Sequence, residues 1–238
     1  EKVCSPHGIK IIEDSAHCIT GSRDGISPGE IGSTACFSFY ATKHLTSGEG
    51  GAISTNDSNL YERLCILRNH GMTKDADERA REGYKDWDMV MMGWKYNMSN
   101  IDAALLLPQL PRLRSNHEKL KKLVERYSML FQEVNSVTMP SVRNDLVHAH
   151  HLFPVLIHSM SRNDFIAGMH AKGIGVVVNY QPVHLMSYFR QEYKHRVGDF
   201  PAAEEIGKRV VSLPLFPRMT NDDVDVVVRA VRETLSVS

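Results

Sequence analysis

The sequence predicts an α/β protein: part of a larger α/β domain over residues 1–113, then a smaller α+β domain over residues 114–238. Three observations predict it. Short apolar runs, "GIKIIED" (8–14), "TACFSFY" (34–40) and "GGAIST" (50–55), have the length and composition of buried strands, separated by Gly-rich loop. Helical patterns follow those runs. After a long amphipathic stretch at 115–135 the character of the chain changes, with apolar runs at 149–158 and 173–180 around a further helix.

Each element has its own signal. The first strand ends in two acids, Glu13 and Asp14, and residues 21–33 hold enough Gly and Pro to be a loop. In "NDSNLYERLCILRNHG", Asp57 or Ser58 can cap a helix, Leu60, Leu64 and Leu67 share a face, and Gly71 can end it. Residues 72–95 are polar and turn-rich and contain both tryptophans; a structured loop of that length suggests function. "SNIDAALLLPQL" is a helix with Ser99 as N-cap, and Pro108 should break it. Over 115–135, Leu120, Leu123, Val124, Tyr127, Leu130, Phe131 and Val134 follow helical spacing. Beyond it, "AHHLFPVLIH" and "GIGVVVNY" read as strands and "SRNDFIAGMHAKG" as a helix. Short helices near 185–193 and 201–209 follow, and the last helix starts at Thr220 or Asn221.

The totals exclude some classes of function. Lys plus Arg and Asp plus Glu both number 28 in 238 residues, so no global positive field argues for nucleic acid. There is no apolar run of membrane length. Cys4, Cys18, Cys36 and Cys65 form no C-x-x-C pair and read as reduced thiols of a cytoplasmic protein. The cluster His148, His150 and His151 invites a metal reading. Its members alternate in direction along a strand entry with no carboxylate at ligand spacing, so no metal is expected.

The chemistry concentrates at predicted strand ends. Asp14 closes one strand, with His17 three residues on; Ser38 and Lys43 close the next, and Gly48, Gly50 and Gly51 follow at once. Ligands of α/β sheets gather at the carboxyl ends of strands, so these groups are expected to converge. Singly, each has a plainer role: a turn-forming Asp, a structural His, a surface Lys, a Gly turn. Together they meet the needs of pyridoxal 5'-phosphate. Its aldehyde condenses with a partly desolvated lysine, its ring nitrogen needs a carboxylate, and its phosphate needs hydroxyl and N–H donors.

"IIEDSAH", "FSFYATKHLTSGEGGAIST", "LRNHGM", "GWKYNMSNIDAALLLPQL" and "SLPLFPRMT" together resemble the DegT/StrS-type sugar aminotransferases. These are fold-type I pyridoxal-phosphate enzymes that aminate nucleotide-linked keto sugars. The resemblance implies the C-terminal part of their large mixed-sheet domain plus their smaller C-terminal domain. It implies Lys43 as the cofactor's covalent anchor and proton shuttle, Asp14 at the ring nitrogen, and His17 near the ring's 3-hydroxyl. Ser38 would bind the phosphate, and Asn97 the phosphate of a neighbouring subunit's cofactor. Many members carry Asn where this chain has Lys95, which leaves the choice between the two positions open. His184 is either near the sugar or a helix-start imidazole. The run "GIGVVVNYQPVHLMSYFRQEY" resembles the branch acting on UDP-4-keto sugars of the 6-deoxy type, with glutamate as the implied donor and a homodimer sharing its active sites. Arg68 and His70 resemble the family's helix-end motif. Family members have a G-T-x-A-L-type segment before the aspartate; none precedes Asp14, so an absent N-terminal part is expected. The alternatives are a PLP-dependent sugar dehydratase, in which the lysine is replaced by His, and a non-catalytic or regulatory dimeric relative.

Overall fold

The computed structural model describes residues 2–74, 81 and 86–236, so the predicted loop over 72–95 lies partly outside the described residues. The chain divides into two units, Glu1–Leu113 with Asp145–Ala149, and Arg114–Asn144 with His150–Ser238.

In the first unit, β1 (Ile12–Asp14) lies parallel to β3 (Thr34–Ser38), with Ile12 opposite Thr34 and Asp14 opposite Cys36. Parallel pairing sets the carboxyl ends of both strands at one edge of the sheet. β4 (Gly51–Ser54) returns antiparallel on the other side of β3, so Gly51 stands opposite Ser38. A two-residue strand, β2 (Ser22–Arg23), pairs antiparallel with Leu146–Val147 inside the predicted 21–33 loop. Side chains alternate along a strand, so Glu13 and Asp14 face opposite ways. Glu13 accepts from the amides of Gly29 (3.0 Å) and Gly32 (2.6 Å) and so folds the 27–32 loop against β1. The Gly29 and Gly32 bonds hold the Glu13 carboxyl below the usual carboxylate range against the opposing effect of burial. β4 is exposed along its whole length, unlike the buried strand the sequence predicts. An apolar run reveals the tendency to be covered, and among the described residues of this unit nothing covers β4.

α1 (Ser58–Leu67) is capped by Asp57, which accepts from Leu60 N at 3.1 Å. Past its end, Gly71 has φ +76°, and a Cβ there would collide with the Met91 carbonyl. That glycine lets the 86–96 segment zip onto the helix end. Trp94 N donates to Leu67 O (2.8 Å), His70 N to Trp94 O (2.9 Å) and Tyr96 N to Arg68 O (2.8 Å). "LRNHG" is thus a backbone dock for that segment. α2 (Asn100–Leu106) is capped by Ser99 and ends before Pro108.

The second unit is built on α3 (Leu113–Phe131), whose first residue belongs to the first unit. β5 (Val137–Thr138), β7 (Phe153–Ile157) and β8 (Val210–Leu213) form an antiparallel sheet in the order β5-β7-β8, β6 (Leu146–Val147) being the partner of β2. α4 (Arg162–Ala171) is capped by Ser161, and α5 (Ser187–Tyr193) and α6 (Pro201–Arg209) lead into β8. α7 (Asn221–Ser236) starts with Thr220 and Asp223 capping one another. The core joins Tyr127, Phe153, Phe165, Met169, Val211 and Val228 with their neighbours, and Tyr127 stacks on Phe153 at 4.5 Å. Burial pushes the Tyr127 phenol's pKa up, and its hydroxyl donates to Pro214 O at 2.9 Å.

One expectation for this unit changes. "GIGVVVNY" forms no strand; Val177 makes one antiparallel bridge to Ser212 and stays 58% exposed. A β-branched run needs a partner edge of equal length to become a strand, and here only one rung exists. Conversely, β8 was not separable by pattern from the end of α6, because "VVSL" is buried at every position and shows no alternation.

Candidate active site

Asp14 and Ser38 close β1 and β3 at the carboxyl edge of the first unit's sheet, with His17 and Lys43 in the turns that follow. Asp14 is the last residue of β1, exposed, and one of its oxygens accepts from Ala16 N at 3.1 Å. That bond turns the chain into the short bend carrying His17. Ser38 is the last residue of β3, half-buried, its hydroxyl accepting from Tyr40 N at 3.3 Å.

Lys43 is at the close of a turn in which its own amide donates to Tyr40 O at 2.9 Å. The loop around it is fixed at its base. Phe39 N donates to Gly50 O (2.8 Å), Ser47 N to Phe39 O (3.0 Å), and the Ser47 hydroxyl to Glu49 O (2.6 Å). Leu45 and Ser47 are buried beneath it. Gly50 has φ +138°, and a Cβ there would stand 3.0 Å from Met98 Cε, so the glycine admits Met98 against the loop.

Electrostatics tie three of these groups together. Burial lowers the Lys43 pKa below the ordinary lysine value, and the nearby Asp14 carboxylate opposes that shift. Burial also lowers the His17 pKa; the positive charge of Lys43 adds to the effect and Asp14 opposes it. An amine, an imidazole and a carboxylate therefore sense one another, with a hydroxyl at the neighbouring strand end. This donor set has the chemistry pyridoxal phosphate calls for: an amine made more nucleophilic by desolvation, a carboxylate for a ring nitrogen, and a hydroxyl beside glycine backbone for a phosphate.

Asn97 is not hydrogen-bonded into that cluster among the described residues. It is exposed and held between the Tyr96 backbone bond and the Ser99 cap. His184 is in the second unit, buried, with Nε2 3.0 Å from the buried Glu204 carboxylate. Among the described residues no group of three or more His, Cys, Asp or Glu could hold a metal ion, and no helix is long and apolar enough to cross a membrane.

Gln109 escaped the sequence reading. Its amide oxygen accepts from Thr46 N (3.2 Å) and its nitrogen donates to Thr46 O (2.7 Å), clamping the Lys43 loop from the far end of α2. A polar residue after a helix-breaking proline carries no sign that its partner lies 63 positions away.

A sequence profile described as the DegT/DnrJ/EryC1/StrS aminotransferase family matches residues 1–232. Spore coat polysaccharide biosynthesis protein SpsC of Bacillus subtilis is 36% identical over 237 residues, covering 97% of this chain and 61% of its own. Among solved structures, Helicobacter pylori PseC, an aminotransferase involved in the biosynthesis of pseudoaminic acid, superposes with a TM-score of 0.87. It is 25% identical over 100% of this chain and 62% of its own. Spr1654 of Streptococcus pneumoniae, solved in a PLP-form, gives a TM-score of 0.86 at 26% identity, over 96% of this chain and 58% of its own. The chain spans about three fifths of the length of the curated relatives it matches.

Proposed function

We propose, from the premise that this chain belongs to the DegT/DnrJ/EryC1/StrS aminotransferase family, that the protein transfers an amino group from glutamate to a nucleotide-linked keto sugar with pyridoxal phosphate. The observation carrying this reading is the desolvated Lys43 amine within the field of Asp14 and His17, at the carboxyl edge of a sheet that also presents Ser38. When bound, the cofactor supplies an aldehyde that accepts the amine and a ring that takes up the electron pair released at the reacting carbon. Asp14 would keep the proton on the ring nitrogen, His17 would flank the ring, and the Ser38 hydroxyl would donate to the phosphate. Lys43 Nζ, its pKa lowered by burial, would remove the proton from the donor carbon and return one to the carbon that gains the amine.

The finer assignments have narrower support. A UDP-4-keto-6-deoxy sugar fits the branch that "GIGVVVNYQPVHLMSYFRQEY" resembles, and PseC is described as an aminotransferase involved in the biosynthesis of pseudoaminic acid. A homodimer is favoured by exposed apolar side chains along the docked segment, Trp87, Met89, Val90, Met92, Trp94 and Tyr96. Asn97, next to them, exposed and without a hydrogen bond to Asp14, His17, Ser38 or Lys43 among the described residues, would then reach the phosphate of the second copy. The free thiols Cys4, Cys18, Cys36 and Cys65 suit the cytoplasm.

Borohydride reduction of the cofactor-loaded full-length protein, followed by peptide mapping, tests the reading. The cofactor adduct is expected on Lys43, with Lys43→Ala losing both adduct and turnover of UDP-keto sugars; an adduct on another lysine in active protein overturns it. The pH response has a definite sign. Competitive labelling of Lys43 in cofactor-free protein should show an amine titrating below a surface lysine. Asp14→Asn removes the opposing charge and moves that titration to still lower pH.

A further inference from the structure

A cleft of ≈ 530 Å³ opens in the second unit, lined by Ser187, Arg190, Gln191, Lys194, His195 and Arg196. The protein as a whole carries no net charge, yet this ten-residue stretch holds three fixed cations against one carboxylate, Glu192. The backbone brings them together. α5 ends at Tyr193, and Lys194 takes the left-handed conformation (φ 60°, ψ 24°), which turns the chain so that His195 and Arg196 line the same cleft as Arg190 and Gln191.

The loop is fixed. Asp199 accepts from Arg196 N at 2.9 Å and lies 3.4 Å from His195 Nδ1. Gly198 N donates to Glu204 Oε1 at 2.7 Å, the same oxygen that lies 3.0 Å from His184 Nε2. Glu204 and His184 are both buried, and Phe200 packs on the His184 ring at 4.8 Å. The Lys194 ammonium is satisfied at one position by Gln191 O (2.6 Å). The guanidinium groups of Arg190 and Arg196 form no ion pair among the described residues. Two guanidiniums that form no ion pair among the described residues share one concavity with an ammonium and repel each other; the one carboxylate held at its rim, Asp199, is engaged by the Arg196 amide and His195, and a multivalent anion relieves the remaining repulsion while accepting the forked donors.

We propose that this cleft binds a phosphoanion of the diphosphate class through Arg190, Lys194 and Arg196. The charge exceeds what a single carboxylate needs, and the volume exceeds what one would fill. The inference stands on the cleft's own charges and does not rest on the aminotransferase reading. The same chemistry could arrive as the diphosphate of a nucleotide-linked substrate or as a free diphosphate compound.

Calorimetric titration of the full-length, cofactor-loaded protein with inorganic pyrophosphate at fixed ionic strength decides the matter. Wild type is expected to bind, and the double variant Arg190→Gln/Arg196→Gln to bind at least about tenfold more weakly with an unchanged melting temperature. Arg229→Gln, on α7, controls for the general field and is expected to leave the affinity as it was. No binding by wild type, equal affinity in the double variant, or equal weakening by Arg229→Gln overturns the proposal. Steady-state kinetics separates the sources. A raised KM for the nucleotide sugar with unchanged kcat in the double variant identifies the substrate's diphosphate. An unchanged KM beside weakened pyrophosphate binding identifies a free anion.

Discussion

The two units differ most in what they bury. In the second, helices and a three-stranded sheet close on a continuous apolar core in which Tyr127, Val155, Phe165, Met169, Val211, Val224 and Val231 have essentially no exposed surface. In the first, Ala35, Phe39, Leu45 and Ala149 are the buried apolar residues among those described, while Ile12 on β1 is 72% exposed and Ile53 on β4 is 51% exposed. Hydrogen bonds and glycines, rather than packing, shape the first unit: Glu13 on its loop, Gln109 on Thr46, the zipper at Gly71. The unit that carries stability is thus not the one that carries the candidate chemistry. Sparse burial leaves titratable groups within each other's field and leaves apolar surface for a second copy.

That contrast can be broken or sharpened by substitution. The largest effect belongs to the second unit's core, where Phe165→Ala should cost about 3–5 kcal/mol in denaturant unfolding. The matching truncation in the first unit, Ile53→Ala, should cost less than about 1 kcal/mol, because much of that side chain already meets water. Equal losses would show that β4 is covered and the contrast is false. Next in size is Gly71→Ala. With φ +76° and a main-chain collision with Met91, it should cost roughly 1–3 kcal/mol, read as faster hydrogen exchange at Val90 and Trp94. Smaller still is Gln109→Ala, expected to cost about 1 kcal/mol through its lost bonds to Thr46. Its readout is local: Lys43 should label faster in the cofactor-free protein, and unchanged labelling would remove Gln109 from the loop's support.

The smallest effect is at the surface of the second unit, where the Arg126 guanidinium grips Asp225 through bonds of 2.9 and 2.7 Å. That hydrogen bond holds the Asp225 carboxyl below the usual carboxylate range. A depressed carboxylate stabilises the fold above its unfolded pKa near 4 and loses that contribution as pH falls through the folded value. Arg126→Ala should therefore lower the melting temperature slightly near neutral pH, and the difference from wild type should vanish in acid. A difference that persists in acid would assign the effect to lost packing of the arginine stem.

Much of this was legible in the chain. Capping residues Asp57, Ser99 and Thr220 announce three helices because the cap and the amide it serves are three positions apart. The last helix is readable for the same kind of reason, its valines repeating at the helical period. The short strands β2, β5 and β6 were not readable, since two residues carry no period and exist only through their partners. At the site, Asp14, Ser38 and Lys43 were visible as strand-end residues followed by glycine. The field that Asp14, His17 and Lys43 share was not.

By itself the sequence determined residue chemistry at fixed short spacings: which amine, acid and hydroxyl are available, where helices start, and which family's motifs occur in order. Tertiary structure alone decided which of those groups share an environment. Parallel pairing of β1 and β3 brings Asp14 and Ser38 to one edge, and Gln109 holds the Lys43 loop across 63 positions. The left-handed turn at Lys194 gathers three cations around one cleft. The reason is physical: electrostatic and hydrogen-bond energies depend on distance and burial, and neither is a function of separation along the chain.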